Sequence, residues 1–210
     1  MAILKIARMG HPVLKRVAEP ISDPTSAEVR RLVSDMLDTL EDADGTGLAA
    51  PQVHVPRRIV MFYVAGTRAR RAAAADEPAK AQGPSGTAPP TSMEGKDEGE
   101  DEDEPEVPLT VLINPLVEPL SDETAVGWES CLSVPGLAGQ VPRHRAVRYR
   151  GLNLRGEEIV REARGFHARV VQHECDHLDG VLYPQRMSDL STLAFTSEMA
   201  ARTGAPVREE

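Results

Sequence analysis

Residues 172–180 read Q-H-E-C-D-H-L-D-G, and the helical reading of this stretch decides the fold. An α-helix turns by about 100° per residue, so His173 and His177 lie about 40° apart on one face, one turn apart. Both imidazoles can then reach a single ion. Cys175 lies about 200° round from His173 and points away from that ion. Its angular neighbours Ala168, Val171 and Leu178 form an apolar stripe on the opposite side. A free cysteine in such a stripe is a small core residue rather than a ligand. The helix, expected over 165–178 and closed by Gly180 in a left-handed cap, is apolar on both flanks. It should therefore run through the middle of the domain.

Working outward, Thr25-Ser26-Ala27-Glu28 has the form of a capping box, and Val29, Leu32, Val33, Met36, Leu37 and Leu40 follow at helical spacing. This predicts an N-terminal amphipathic helix. R-I-V-M-F-Y-V (58–64) and L-T-V-L-I-N-P (109–115) read as strands. A-V-R-Y-R-G-L-N-L, a turn at Arg155-Gly156 and E-E-I-V-R-E-A together suggest a hairpin. Helix, strands, helix in that order implies an α+β domain with mainly antiparallel sheets around the central helix; a metal-binding role for that helix depends on the ligands considered below.

Between the two strands the composition changes. From Ala65 to Glu106 there is no Val, Leu, Ile, Phe, Tyr or Trp. Such a stretch cannot bury enough apolar surface to offset its ordering entropy, so 65–106 is expected to be a disordered, solvated insertion. Loop-closure cost rises only slowly with length, and the fold can carry it. One domain then comprises 1–64 and 107–195, with a C-terminal tail at 196–210. The formal charge of -9 is concentrated in the insertion: Glu94 to Glu106 holds nine acids and one lysine. The domain itself is close to neutral. With only 3% aromatic residues it lacks the basic stripe and exposed rings of a nucleic-acid binder. No run approaches the roughly 18 apolar residues of a membrane span. Two cysteines, and no charged-then-apolar leader at Met1-Ala2-Ile3-Leu4-Lys5, point to a reducing, cytoplasmic setting in which a thiol can serve as ligand or core residue.

Two histidines four apart are common as partly buried side chains. H-E-x-x-H is more specific, because Glu174 can stand beside a water on the ion without being a ligand. A third ligand must decide the matter. The sequence follows the metzincin pattern H-E-x-x-H-x-x-G-x-x-H through Gly180, but position 183 is Tyr. A carboxylate ligand would have to be Glu198 or a terminal acid. Cys131 is the better candidate: it lies in the strand-like W-E-S-C-L-S-V-P, and a thiolate suits a borderline-soft divalent ion. Cys131, His173 and His177 would leave one position open, which is the arrangement of catalysis.

Three motifs together resemble the peptide deformylase family. They are Gly45-Thr46-Gly47-Leu48-Ala49-Ala50-Pro51-Gln52, Glu129-Ser130-Cys131-Leu132-Ser133 and Gln172-His173-Glu174-Cys175-Asp176-His177. They occur in the family's order, and the resemblance covers about 2–64 and 107–190. Ser130 replaces the usual glycine, and the acidic insertion is not a usual family feature.

The resemblance makes Cys131, His173 and His177 the metal ligands and Glu174 the general acid/base. Gln52 and the backbone N–H of Leu132 would stabilise the oxyanion. Gly45, Thr46, Gly47 and Ser130 would line the substrate peptide, laid alongside as an added strand. Arg169 and Val170 would line the methionine pocket, the Arg169 stem packing while its head reaches solvent. Asp176 would pair with Arg143. His11, His54, His144 and His167 have no partner motif and read as surface or structural. The implied cofactor is one divalent ion, iron(II) first, replaceable by zinc, nickel or cobalt. The implied reaction removes the N-formyl group from the formylmethionine of newly made chains, releasing formate. Partners would be formylmethionyl peptides and, transiently, the ribosome, with no membrane and no direct nucleic-acid specificity. The competing readings are an H-E-x-x-H metalloprotease with a downstream carboxylate ligand, and a non-catalytic metal-binding relative.

Overall fold

The computed structural model describes residues 2–65 and 106–202, so all but the ends of the insertion expected at 65–106 lie outside the described residues. Helix α1 spans Ala27–Asp42 and helix α2 spans Gly165–Leu178. Strands β1 (Gly47–Ala49), β2 (Ile59–Val64), β3 (Val107–Pro119), β6 (Ala146–Leu152) and β7 (Glu158–Arg164) form one antiparallel sheet in the order β1-β2-β3-β6-β7. Strands β4 (Thr124–Cys131), β5 (Val134–His144) and β8 (Ala194–Phe195) form a second, in the order β4-β5-β8. A short helix α3, Thr196–Arg202, opens the segment expected to be a tail; 203–210 lie outside the described residues.

The start of α1 differs by one residue from the expected capping box. Ser26 is the N-cap and its side chain accepts from the Val29 N–H at 3.3 Å. Thr25 instead donates to the Asp23 carboxylate through both its N–H and its hydroxyl. Asp23 thus competes successfully for the residue that a capping box would have used.

Strand β2 is apolar because, apart from the exposed Tyr63, it is covered on both faces. Side chains alternate across a strand. Val60, Phe62 and Val64 enter the cluster that contains Ala168, Val171, Cys175 and Leu178 of α2. Ile59 and Met61 enter the cluster built by Val29, Val33, Met36 and Leu40 of α1. Met36 and Leu40 are almost wholly buried, and each such side chain stabilises the fold by roughly 1.5–3 kcal/mol. The sheet therefore lies between the two helices, and the second sheet closes over the other side of α2. The hairpin expected at Arg155-Gly156 is present as β6 and β7, with Asn153 Oδ1 accepting the N–H groups of Arg155 and Glu157 across the turn.

Helix α2 ends where expected. Gly180 has a φ of 73°, and a Cβ there would stand 2.7 Å from the Lys15 backbone. Any other residue would meet both the left-handed backbone penalty and a wall of main chain. The helix is held against the sheets along its whole length, with every residue from Val170 to Leu178 except Gln172 buried.

Candidate metal centre

Cys131 is the last residue of β4, and β5 begins three residues later after a tight turn. That places its thiol against the face of α2 that carries both histidines. One donor atom from each of Cys131, His173 and His177 lies within 4.8 Å of the others. The Cys131 Sγ to His177 Nε2 separation is 3.4 Å. Bonds of about 2.3 Å to sulfur and 2.05 Å to nitrogen give a tetrahedral edge of roughly 3.6 Å, so this donor set fits one divalent ion. Among the described residues, His177 Nδ1 and Glu174 Oε2 are buried without a hydrogen-bond partner. Burial, together with the nearby His173 and Arg143, pushes the His177 pKa well down. That direction favours the neutral imidazole, the state that ligates a metal; His173 is pushed the other way, because hydrogen bonds to Cys131 and Glu129 outweigh its burial, so an ion binding there displaces a proton.

His173 is oriented from behind. Its Nδ1 lies 2.8 Å from Glu129 Oε2, which leaves Nε2 as the nitrogen that would bind an ion. Tyr183, at the position where a metzincin would have histidine, stacks on the His173 ring with centroids 6.3 Å apart. Burial alone would raise the pKa of Glu129, but hydrogen bonds from Arg143 and His173 outweigh it and hold the carboxyl well below the usual range. The expected Arg143–Asp176 pair is present at 2.6 Å, and Arg186 adds two more bonds to Asp176.

A cleft of about 150 Å³ opens beside the donors, between two free sheet edges: β1 and the residues before it on one side, β4 on the other. With the exception of His177, which is buried more deeply, every residue expected at the site lines this cleft. Glu174 stands at its inner wall. Burial pushes its carboxyl up to about 7. A Cβ on Gly47 would collide with the Glu174 carboxylate, so Gly47 is the residue that allows that carboxylate to sit there. Gln52 is fixed by the Ala49 N–H on its Oε1 at 2.8 Å, and its Nε2 donates to Ser133 Oγ at 3.2 Å and to Cys131 Sγ at 3.6 Å.

Arg169 departs from expectation. Its head does not reach solvent; the side chain is 11% exposed, and the guanidinium donates to Glu129 and to the carbonyls of Ala125, Gly127 and Val141. Sequence reasoning also passed over Glu129, Trp128 and Phe166. Glu129 did leave a signal, since it sits two residues before Cys131 in one strand and so shares its face. Phe166 and Trp128, which line the cleft, left none.

Among the described residues the donors that gather with the two histidines include Cys131 and not Glu198. Glu198 is exposed, and its Oε1 accepts from its neighbour Ser197. The polypeptide deformylase family model matches residues 3–192. The chain belongs to the polypeptide deformylase family. It is 46% identical over 191 residues to peptide deformylase 1 of Bordetella pertussis, covering 91% of each chain. Among solved structures it is similar to a class I type b peptide deformylase of Acinetobacter baumannii with Met-Ala-Ser bound, at 31% identity and a TM-score of 0.68, covering 89% of this chain and 99% of that one. The Thermotoga maritima peptide deformylase matches at 28% identity and a TM-score of 0.66, covering 90% and 100%. As a member of this family the chain is a hydrolase that removes the N-formyl group from nascent peptides, and the family depends on a metal ion. The protease reading is not favoured. Among the described residues no helix is long and apolar enough to cross a membrane.

Proposed function

We propose that Cys131, His173 and His177 hold an iron(II) ion, that Glu174 carries the proton, and that the substrate is the formylmethionyl end of chains made in the cytoplasm. The observation that carries this reading is the meeting, beside one cleft, of three donors within 4.8 Å, two of them lining it, and a buried carboxylate with an unpartnered oxygen. One thiolate and two imidazoles also suit zinc, nickel and cobalt.

An ion bound there would lower the pKa of a water towards neutrality and polarise the formyl oxygen. Glu174 takes the proton of the attacking water. Burial pushes its pKa up, in the direction that suits a group which must both accept and return a proton. Charge then grows on the formyl oxygen, where the Gln52 amide and the Leu132 N–H stabilise it. Gln52 Nε2, 3.6 Å from the Cys131 sulfur, is close to where that oxygen must sit. Glu174 finally protonates the departing amine, giving formate and a free amino terminus.

The peptide lies as an extra strand between the edges of β1 and β4, along Gly45, Thr46, Gly47 and Ser130. Val170, Phe166 and the stem of Arg169 surround its first side chain. The Acinetobacter protein with Met-Ala-Ser bound supports a methionine-headed peptide in this cleft. The encounter with the ribosome is transient, since the substrate is a chain still being made.

Formate release from a formyl-Met-Ala-Ser peptide tests the reading. Protein purified without oxygen and loaded with iron(II) should turn over, and air should inactivate it. Absence of activity with iron(II), nickel, cobalt and zinc would remove the proposal; full activity with zinc and none with iron(II) would remove the choice of ion.

A further inference from the structure

The Glu129 carboxylate, buried among α2, β4 and β5, receives four hydrogen bonds. Oε1 accepts from Arg143 Nε at 2.8 Å and from Arg169 Nη1 at 3.0 Å. Oε2 accepts from Arg143 Nη2 at 3.0 Å and faces His173 Nδ1 at 2.8 Å. A carboxylate has about four lone-pair sites, so every one is used and the group has no freedom to turn. Arg143 and His173 account for three of the bonds. The fourth comes from Arg169, one turn before His173 on the same helix.

Arg169 reaches Glu129 by crossing the β4 backbone. Its Nη1 also donates to Val141 O at 2.8 Å and Gly127 O at 3.4 Å, and its Nη2 to Ala125 O at 2.9 Å. Gly127 and Val141 are paired residues of β4 and β5, so one guanidinium ties together the edge strand that walls the cleft and its neighbour. The crossing depends on residue 127. A Cβ on Gly127 would lie 2.7 Å from Arg169 Nη2 and 2.8 Å from Cζ. A flexible arginine could normally step aside, but this one is largely enclosed and held by several acceptors.

We propose that Arg169 is a positioning residue for the metal ligand His173, acting through Glu129, and that Gly127 is glycine because the guanidinium occupies the place of its side chain. The inference rests on the reading of Cys131, His173 and His177 as ligands. It does not involve contact between Arg169 and the ion. Without the fourth bond, Glu129 can rotate about its contacts with Arg143, and the His173 ring loses its fixed direction. Lysine cannot replace arginine here, because a single ammonium cannot span acceptors on β4, β5 and Glu129.

The test is the rate at which cobalt(II)-loaded protein, kept free of oxygen, gives up its metal to a chelator, with the visible spectrum of the cobalt as a second readout. Arg169→Met, Arg169→Lys and Gly127→Ala should each speed metal loss by about ten-fold, the lower end of the range for removing a partner of a ligand's hydrogen bond. Gly127→Ala keeps the arginine and its charge, and it should broaden the cobalt bands as Arg169→Met does. The double variant Gly127→Ala/Arg169→Met should lose metal no faster than Arg169→Met alone, because both changes break one link. Cys175→Ala, which trims the opposite face of α2, should lower the melting temperature and leave metal loss and spectrum unchanged. If Arg169→Lys and Gly127→Ala hold cobalt as wild type does while Cys131→Ser does not, Arg169 only braces the strands and the proposal fails. If Cys131→Ser also holds cobalt as wild type does, the ligand reading itself fails.

Discussion

Cys131 and Cys175 are both 9% exposed, yet their surroundings differ in kind. Cys131 ends an edge strand, faces His177 at 3.4 Å and takes N–H groups from Ser133 and Gln52 on its sulfur. Cys175 lies on α2 among Ala168, Val171 and Leu178, and burial pushes its thiol far above the ordinary range. Burial therefore does not separate a ligand from a core residue. Donors and charges around the sulfur do, because a thiolate needs them and a thiol does not.

The largest expected effect breaks that contrast directly. Cys131→Ser should abolish metal retention and formate release, as read by metal analysis of oxygen-free protein, while Cys175→Ser keeps both. Metal kept by Cys131→Ser and lost by Cys175→Ser would show that the sulfurs had been assigned to the wrong faces.

Glu174→Gln comes next. It removes the proton carrier without removing a ligand, so kcat should fall by about 10²–10⁴-fold with bound metal unchanged. Gly47→Ala is the companion change on the other side of the same carboxylate. The added methyl displaces Glu174 from the cleft wall, and an intermediate loss of kcat, about 10–100-fold, should follow at unchanged metal content. A misplaced catalytic group commonly costs on this scale.

A smaller effect concerns acid stability. The folded-state pKa of Glu129 is depressed, so the folded protein binds this proton less readily than the unfolded chain does. Its stabilisation is complete above the unfolded value of about 4.3 and is lost as pH falls through the folded value. Urea midpoints measured downward from about pH 6 should drop less steeply in Glu129→Gln than in wild type. Cys175→Ala is the smallest change, about 1 kcal/mol of stability, with kinetics unaltered.

Much of the site was legible because it is local. The spacing of His173 and His177, the carboxylate between them and the apolar stripe through Cys175 are consequences of helical pitch. The β6–β7 hairpin was legible from its turn. The N-cap was misplaced by one residue because Asp23 engages Thr25 and leaves Ser26 to accept the Val29 N–H, and that choice depends on how the chain enters the helix. Arg169 was misjudged for a related reason. Its sequence neighbours suggest a surface stem, whereas its partners, Ala125, Gly127, Glu129 and Val141, come from strands 28 to 44 residues away.

The sequence by itself determined the chemistry available to this protein: one helix bearing two imidazoles and a carboxylate, a thiol elsewhere, and an α+β pattern to bury them. Tertiary structure decided how tightly these groups are held. The end of β4 delivers Cys131 to the helix, Gly47 admits Glu174 to the cleft, and Glu129 fixes His173. Periodicity is a property of neighbours along the chain. A fourfold-bonded buried carboxylate is a property of segments that meet only when the sheets close on the helix.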